Sequence, residues 1–562
     1  MTALVFLASG LAFAQAAPPP PGGPAPAPAQ QAIPPVVESV QVSITSIDVV
    51  VTDSKGNRVT GLTADDFEIR QDGVPQKVTN FYAVSGGKVL LEDGKVVDLE
   101  SPAAIAELPQ ELKTRYLFYI DNLNIQPINR NRMFRRLKEF IRETVGPNAE
   151  GMVVTYNRSL KVKKRFTSDP NEIINAIDET EKETGGGTTL ASERRDTIQR
   201  INDAQSAAEG EQIARSYARA LRNDLEFTVD AIKSTITGLA GVDGRKVFVY
   251  VSEGLPAIAG QELYDTVQQK FREGSNSLEQ FEFDMNMRYL GIVQAANAQG
   301  VTIWALDASG LASDEFISAE NRTMDTRPSA FFMRQNTQAP LNMMAEQTGG
   351  MAATNTNDWK GSLDELSKDF SNFYSLGFRS PQAANDKPHR VEVSVKKKGM
   401  TVRARKGYVE KTIETRTAET VLASLFYPRN ENPLGIKVAT GDSKPHDDET
   451  FLLPVRISIP IGRLGLVPAG DNYEGTVFFY FVVLDVTGKQ SDLQIQKQAV
   501  RVPSKDFEMA QKKDYVYDVS LIVVPGGQKV AVAVRDGVSS QTSYVQKNVF
   551  VSILPKEQKA GK

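Results

Sequence analysis

The chain has 562 residues, 41% hydrophobic and 24% charged, with a formal net charge of −4. At about 100–200 residues per domain this suggests roughly three domains with enough apolar material for real cores, and so balanced a charge gives no sign of a nucleic-acid partner. There are no cysteines and only two histidines, His389 and His446, which excludes disulfides, thiolate metal sites and Cys nucleophiles and leaves two imidazoles for any triad or His-rich centre.

Residues 1–16 read as an export signal, a short apolar run ending in Ala14-Gln15-Ala16 but without the usual basic start. The expected location is therefore outside the cytoplasm: periplasmic, attached to the cell envelope, or secreted. No other stretch is long and apolar enough to span a bilayer. Residues 17–35, "APPPPGGPAPAPAQQAIPP", form a Pro/Ala-rich linker that favours extended polyproline II and cannot build a core. Residues 36–110 read as a small N-terminal β unit, with the β-branched run "VQVSITSIDVVVTD" and a hairpin turning at Asp72-Gly73.

From 111 to 410 strands and helices alternate. "RYLFYID", "GMVVTYN", "KVFVYVSEG" and "VTIWALDA" are apolar enough to be covered on both faces. Between them lies a helix with Met133, Phe134, Leu137, Phe140, Ile141 and Val145 on one side, and another opened by Asp169 as cap and Pro170 at its first position. Leu221, Leu225, Val229, Ile232, Ile236 and Leu239 form a further stripe. The polar stretch near 189–220 before it reads as a projecting helical insertion. The expected fold is α/β and Rossmann-like, a mostly parallel sheet with helices on both faces. Three strands, "FYSLGFRS", "HRVEVSVKKKG" and "MTVRARKGYV", close this part. A linker helix is expected within 411–432, an all-β sandwich of Ig-like kind over 433–556, and a tail at 557–562.

The order of "YLFYID", "GGGTTL", "KVFVYVSEG" and "VTIWALDA" resembles a von Willebrand factor type A (VWA) domain. With "VVVTDSKGNRVTGLTADDFEIRQDGVPQKVTNF", "AEQTGGMAATNTND", "FYSLGFRS" and "VRARKGYV", residues from about 42 to 410 resemble the VWA-related family first noted in acidobacterial proteomes. That resemblance implies a metal-ion-dependent adhesion site: D-x-S-x-S after the first strand, a Thr in a later loop, an Asp after a middle strand. Mg²⁺, a hard ion that wants octahedral oxygen ligands, suits such a set. Carried over, Asp121 matches the first Asp, Thr188 the Thr, and Glu253 stands where Asp is expected. Leu123 and Ile125 fall on the two Ser positions and offer no oxygen, so Asn122 or Asn124 would have to supply one. The implied site is degenerate, with Asp121, Asn124, Thr188 and Glu253 as its candidate ligands and Mg²⁺ as the one cofactor it raises. The other reading is structural: Asp121 bonds loop backbone, and Thr188 caps the next helix.

Other features have plainer readings. "HDDET" at 446–450 reads as a solvated loop, and "KKKG" with Arg403, Arg405 and Lys406 as a guarded strand edge. The glycines at 185–187 lack the Gly-Lys-Ser/Thr of a phosphate loop and read as a flexible lead into the next helix. Asp65-Asp66 is a pair with no sign of a pocket. No constellation calls for catalysis, so the chain is not expected to be an enzyme. The expected function is that of an exported VWA-like binding protein mediating protein–protein interaction or adhesion at the cell envelope. The alternative is binding of an envelope polymer or glycan through the C-terminal sandwich, motivated by Phe478, Phe479, Tyr480 and Phe481.

Overall fold

A computed structural model describes residues 44–86, 88–90, 96–98, 113–272, 281–311, 327–380, 384–425, 429 and 431–552. The expected export signal, linker and terminal tail lie outside the described residues. By its contacts the chain divides into two units, Val42–Leu239 with Asp243–Lys411, and Ala240–Val242 with Thr412–Lys562.

The larger unit opens with β1 (Ile44–Asp53), β2 (Phe67–Gln71), β3 (Val74–Gln76), β4 (Val78–Ser85), β5 (Lys88–Leu90) and β6 (Val96–Asp98). The α/β run follows as β7 (Thr114–Asp121), α1 (Pro127–Thr144), β8 (Ala149–Tyr156), β9 (Leu160–Thr167), α2 (Pro170–Glu181), α3 (Gly187–Asp203) and α4 (Ala207–Thr237). It continues through β10 (Arg245–Ser252), α5 (Gln261–Phe271), α6 (Asn286–Gln299), β11 (Val301–Asp307), α7 (Arg327–Gln347), β12 (Ala352–Ala353) and α8 (Trp359–Ser371). The unit ends with β13 (Asn372–Arg379), β14 (Pro388–Val395), β15 (Met400–Ala404) and β16 (Gly407–Val409).

The central sheet runs β12-β11-β10-β7-β8-β9, parallel throughout except for the edge strand β9. In order of appearance its strands stand 3-2-1-4-5-6, the doubly wound arrangement, whose switch point lies between the first and fourth strands, here β7 and β10. Alternate residues explain the two covered faces. Tyr116, Phe118 and Ile120 of β7 join one core with Met133, Phe134, Leu137 and Phe140 of α1, Ile173 and Ile177 of α2, and Trp359 and Leu363 of α8. Leu117, Tyr119 and Asp121 point the other way and are equally buried. Asp169 caps α2 by accepting the Asn171 N–H at 2.9 Å, with Pro170 at the first helical position, as the sequence predicts.

The stretch near 189–220, expected to project, is packed. It is shared between α3 and α4, and Gly210, Ala214 and Ala218 are buried on α4. A Cβ at Gly210 would stand 3.2 Å from Val267, and one at Gly260 3.0 Å from Ala218. Small residues four apart let α4 and α5 approach closely, so the buried face carries no large apolar stripe to read.

The first strands are not a separate unit. β1 pairs with β13 and β15, so one sheet runs β15-β1-β13-β4-β5-β6, and β2 pairs with β14 in a second, β16-β14-β2-β3. Their shared core includes Ile47, Val49, Phe67, Ile69, Tyr374, Leu376, Phe378, Val391 and Tyr408. The strands expected to close the α/β domain therefore complete a β layer begun near residue 44, because neither half has enough strands to bury its own apolar face. The β2–β3 turn falls on Asp72-Gly73, both with positive φ (50° and 85°), as two-residue hairpins require.

In the second unit, α9 (Ile413–Ser424) precedes β17 (Lys437–Thr440), β18 (Lys444–Pro445), β19 (Phe451–Pro460), β20 (Val467–Ala469), β21 (Asn472–Asp485), β22 (Gln494–Pro503), β23 (Asp514–Val523), β24 (Gly526–Asp536) and β25 (Thr542–Val551). These strands make two antiparallel sheets, one built round β19 and one round β21 and β24. Val455, Ile457, Tyr517 and Val519 of the first meet Val477, Phe479, Phe481 and Val532 of the second in one sandwich core. The outer face of the second sheet is also covered: Tyr480, Val482 and Ala531 pack with Val421 and Leu425 of the α9 segment. The ring row that motivated glycan binding is thus inside. Phe479 and Tyr480 are 0% and Phe481 1% exposed, and the Arg535 guanidinium lies 4.2 Å over the half-buried Phe478 ring.

Candidate functional site

Four loops gather at the carboxyl ends of the central strands, round the switch point. Residues 122–126 follow β7, residues 182–186 precede α3, residues 253–260 follow β10, and residues from 308 follow β11. Backbone bonds tie them together: Gly186 N–H donates to Asn122 O at 2.7 Å, Glu253 N–H to Asn124 O at 3.0 Å, and Ala308 N–H to Ser252 O at 2.8 Å. The glycines at 185–187 are not a flexible lead. Gly187 is buried, and a Cβ there would stand 2.4 Å from the Ile125 carbonyl, so only glycine lets the two loops meet.

Asp121 ends β7 and is 0% exposed. Its carboxylate accepts from the Tyr250 hydroxyl (2.6 Å), from Asn124 Nδ2 at both oxygens (3.2 and 3.0 Å) and from the Asn124 backbone N–H (3.1 Å). Burial pushes the Asp121 carboxyl above its ordinary range, while the Tyr250 and Asn124 bonds favour the charged form. Burial, reinforced by the Asp121 charge, holds the Tyr250 phenol far above its usual range. Glu253 accepts from the Gln126 backbone N–H (2.8 Å), from Asn129 Nδ2 (2.8 Å) and, at 3.4 Å, from Gln126 Nε2. Gln126 is the N-cap position of α1, so this carboxylate sits where the helix's free N–H groups and dipole attract an anion. Burial raises the Glu253 carboxyl too, opposed by the Asn129 and Gln126 bonds.

The four candidate ligands are therefore not one oxygen cage. Asp121 and Asn124 do meet, but through the amide nitrogen, a donor that occupies both carboxylate oxygens. Glu253 faces the start of α1. Thr188 is exposed in the first turn of α3, whose N-cap position is Gly186, so it neither caps that helix nor joins the acids. Leu123 and Ile125, at the two serine positions, are 2% and 0% exposed and add only hydrocarbon. This donor set does not fit a hard cation such as Mg²⁺, which needs a near-octahedral set of oxygens.

Sequence reasoning missed the groups that do bind these acids. Tyr250 could be suspected as a hydroxyl in an otherwise apolar strand, since a buried Tyr needs a partner. Arg130 is 0% exposed on the apolar stripe of α1; it donates to Asn122 Oδ1 and to the Glu181 and Glu183 carbonyls, locking the glycine loop to the end of β7. Asp307, at the tip of β11, accepts from Ser309 and from Gln338 Nε2 (2.7 Å). Among the described residues that follow β7 and β11, Ile128 (75%) and Leu311 (48%) are large apolar side chains open to solvent.

Two polar pairs that the sequence singles out serve local turns and caps. Asp447 accepts the Glu449 and Thr450 N–H groups and closes the His446 loop as a turn. Asp66 accepts the Thr63 N–H at 2.9 Å in a capping box, and Lys397 pairs with it at 3.0 Å. Among the described residues no helix is long and apolar enough to cross a membrane.

No protein-family model matches the chain, and no curated protein matches it. Several solved structures are similar. An aerotolerance-related membrane protein from Bacteroides fragilis aligns over 46% of this chain and 98% of its own, at 10% identity and a TM-score of 0.25. The PilB minor pilin from Streptococcus sanguinis aligns over 58% and 87%, at 9% identity and 0.27. The ArnB paralog VWA2 from Sulfolobus acidocaldarius aligns over 92% and 77%, at 9% identity and 0.20. Scores this low carry no argument about function, and the doubly wound α/β fold stands on the strand order itself.

Proposed function

We propose that this chain is an exported binding protein of the cell envelope. Its α/β domain is a VWA-like module that presents the loops round β7, β10 and β11 to a protein partner, with no metal at that face. One observation carries the reading. The switch-point carboxylates, Asp121 and Glu253, are directed inward onto Tyr250, Asn124, Gln126 and Asn129, while the rim offers the exposed apolar groups Ile128 and Leu311. Acids used in this way hold the loops in one shape, and a rigid rim with apolar points suits a protein surface better than an ion-bridged carboxylate. The same engagement leaves neither acid free to act as a general base, and the reading assigns no reaction.

The test is affinity capture from solubilised native envelope on the immobilised full chain, with EDTA or with Mg²⁺. The expected result is a partner retained equally in both and lost with Ile128→Glu. Retention that needs Mg²⁺, or that Ile128→Glu leaves intact, would overturn the reading.

A further inference from the structure

In the second unit, the first sandwich sheet turns one face to the core and one away from it. Val438, Val455, Ile457, Tyr517 and Val519 point inward, so the residues between them in β17, β19 and β23 point out. Strand pairing sets the outward residues in rows. Ala439 stands opposite Arg456, and Arg456 opposite Asp518. In the next row the Gly441 N–H donates to Pro454 O at 2.9 Å, and Pro454 stands opposite Ser520. Ala439, Gly441 and Ser520 are short, so they leave a hollow beside the long Arg456 side chain. These six residues line a groove of about 410 Å³, within the range of about 300–1,000 Å³ that small-ligand sites occupy.

The lining says what class of ligand fits. The Asp518 carboxylate accepts from Arg456 Nε at 2.7 Å and from Arg456 Nη2 at 2.9 Å, a two-pronged pair that fixes both side chains. Its charges cancel, so the groove favours a neutral ligand over an ion. The two side chains are 63% and 44% exposed, and their pairing leaves Arg456 Nη1 as a donor and the outer lone pairs of Asp518 as acceptors. The Ser520 hydroxyl both donates and accepts. Ala439 and the Pro454 ring add hydrocarbon to the lining. A fixed donor and a fixed acceptor side by side, next to an apolar surface, match a sugar ring. Its neighbouring hydroxyls donate and accept in turn, and its C–H face is apolar.

We propose that this outer face binds one unit of a neutral polysaccharide, with Arg456 and Asp518 holding adjacent hydroxyls and Pro454 against the sugar ring. The buried ring row of Phe479, Tyr480 and Phe481 takes no part. Gly441 keeps the groove open. Its φ is not positive, and a Cβ there would lie 3.4 Å from Pro454 Cβ, an ordinary contact. A longer side chain at 441 therefore fits the backbone and fills the space beside Pro454.

The experiment is calorimetry on the full chain with cellotetraose, mannotetraose and chitotetraose, each beside its monosaccharide, and with acidic tetragalacturonate as the charged comparison. The expected result is saturable binding of at least one neutral tetraose, tighter than that of its monosaccharide. Asp518→Asn, which turns an acceptor oxygen into a donor, and Arg456→Met should each weaken it about tenfold or more. Gly441→Leu should abolish it. Thermal unfolding followed by circular dichroism checks that each variant is folded. Saturable binding of none of the neutral sugars, meaning that water alone fills the groove, would overturn the proposal. So would binding confined to tetragalacturonate, or binding that Asp518→Asn and Gly441→Leu leave intact.

Discussion

Replacing Tyr250 by Phe removes one hydroxyl and keeps the ring. Tyr250 is 1% exposed and its hydroxyl lies 2.6 Å from Asp121 Oδ2, so the change opens no large cavity and leaves one buried carboxylate oxygen with Asn124 as its remaining donor. A hydrogen bond to a charged group contributes about 1.5–3 kcal/mol, and that is the expected loss of stability. The chain has two tryptophans, Trp304 and Trp359, both in the core beside the central sheet. Urea unfolding followed by tryptophan fluorescence therefore reports this sheet and is not confused by the second unit. The midpoint should fall with an unchanged slope. A midpoint equal to that of the parent chain would refute the claim that Asp121 is held by Tyr250.

Three further outcomes are expected. Gly187→Ala puts a Cβ 2.4 Å from the Ile125 carbonyl and should lower stability by at least about 1–3 kcal/mol in the same assay; no change would mean the loop yields freely. Asp369 is 1% exposed between Arg58, 2.7 Å away, and Arg403, and Arg58 keeps Glu365 as a second partner, so Asp369→Asn should cost about 1.5–3 kcal/mol by weakening the hydrogen bonds to two part-buried guanidinium groups, and a thermal midpoint within error of the parent would contradict this. The Glu253 pKa is raised in the fold from its ordinary 4.5, so the folded state holds this proton more tightly than the unfolded chain does. Its contribution is most favourable below 4.5 and is lost as pH rises through the raised value. Glu253→Gln removes that descending step, which should appear in the difference between parent and variant stability curves; a difference that does not vary with pH would sink the assignment.

Local chemistry was legible in the sequence wherever one segment decides its own structure. The apolar run of β7 had to be covered on both faces, Asp72-Gly73 had to turn, and Asp169-Pro170 had to open a helix. Partners distant in sequence were not legible. Period-two alternation says which face of β1 is buried but not that Ile44 lies opposite Arg379. The stretch near 189–220 reads as solvated because its buried face is mostly small, Ala204, Gly210, Ala214 and Ala218 with Thr197, and Ile201 is its one large apolar member. At the site, Asp121 could be placed at the tip of its strand, but its binding partner depends on the register that sets Tyr250 beside Tyr119. The missing serines foretold a changed site; they could not show that Asn124 would turn its nitrogen to the acid. In the second unit, alternation predicts that at least half of the aromatic row is buried, and α9 covers the other face as well.

The measurement that tests the account most directly is a calorimetric titration of the full chain with Mg²⁺, beside Asp121→Ala. The account predicts no saturable heat from either protein, because the Asp121 and Glu253 oxygens are already committed to donors of the fold. Saturable Mg²⁺ binding that Asp121→Ala abolishes would contradict it, and would return these carboxylates to the role of metal ligands at an adhesion face.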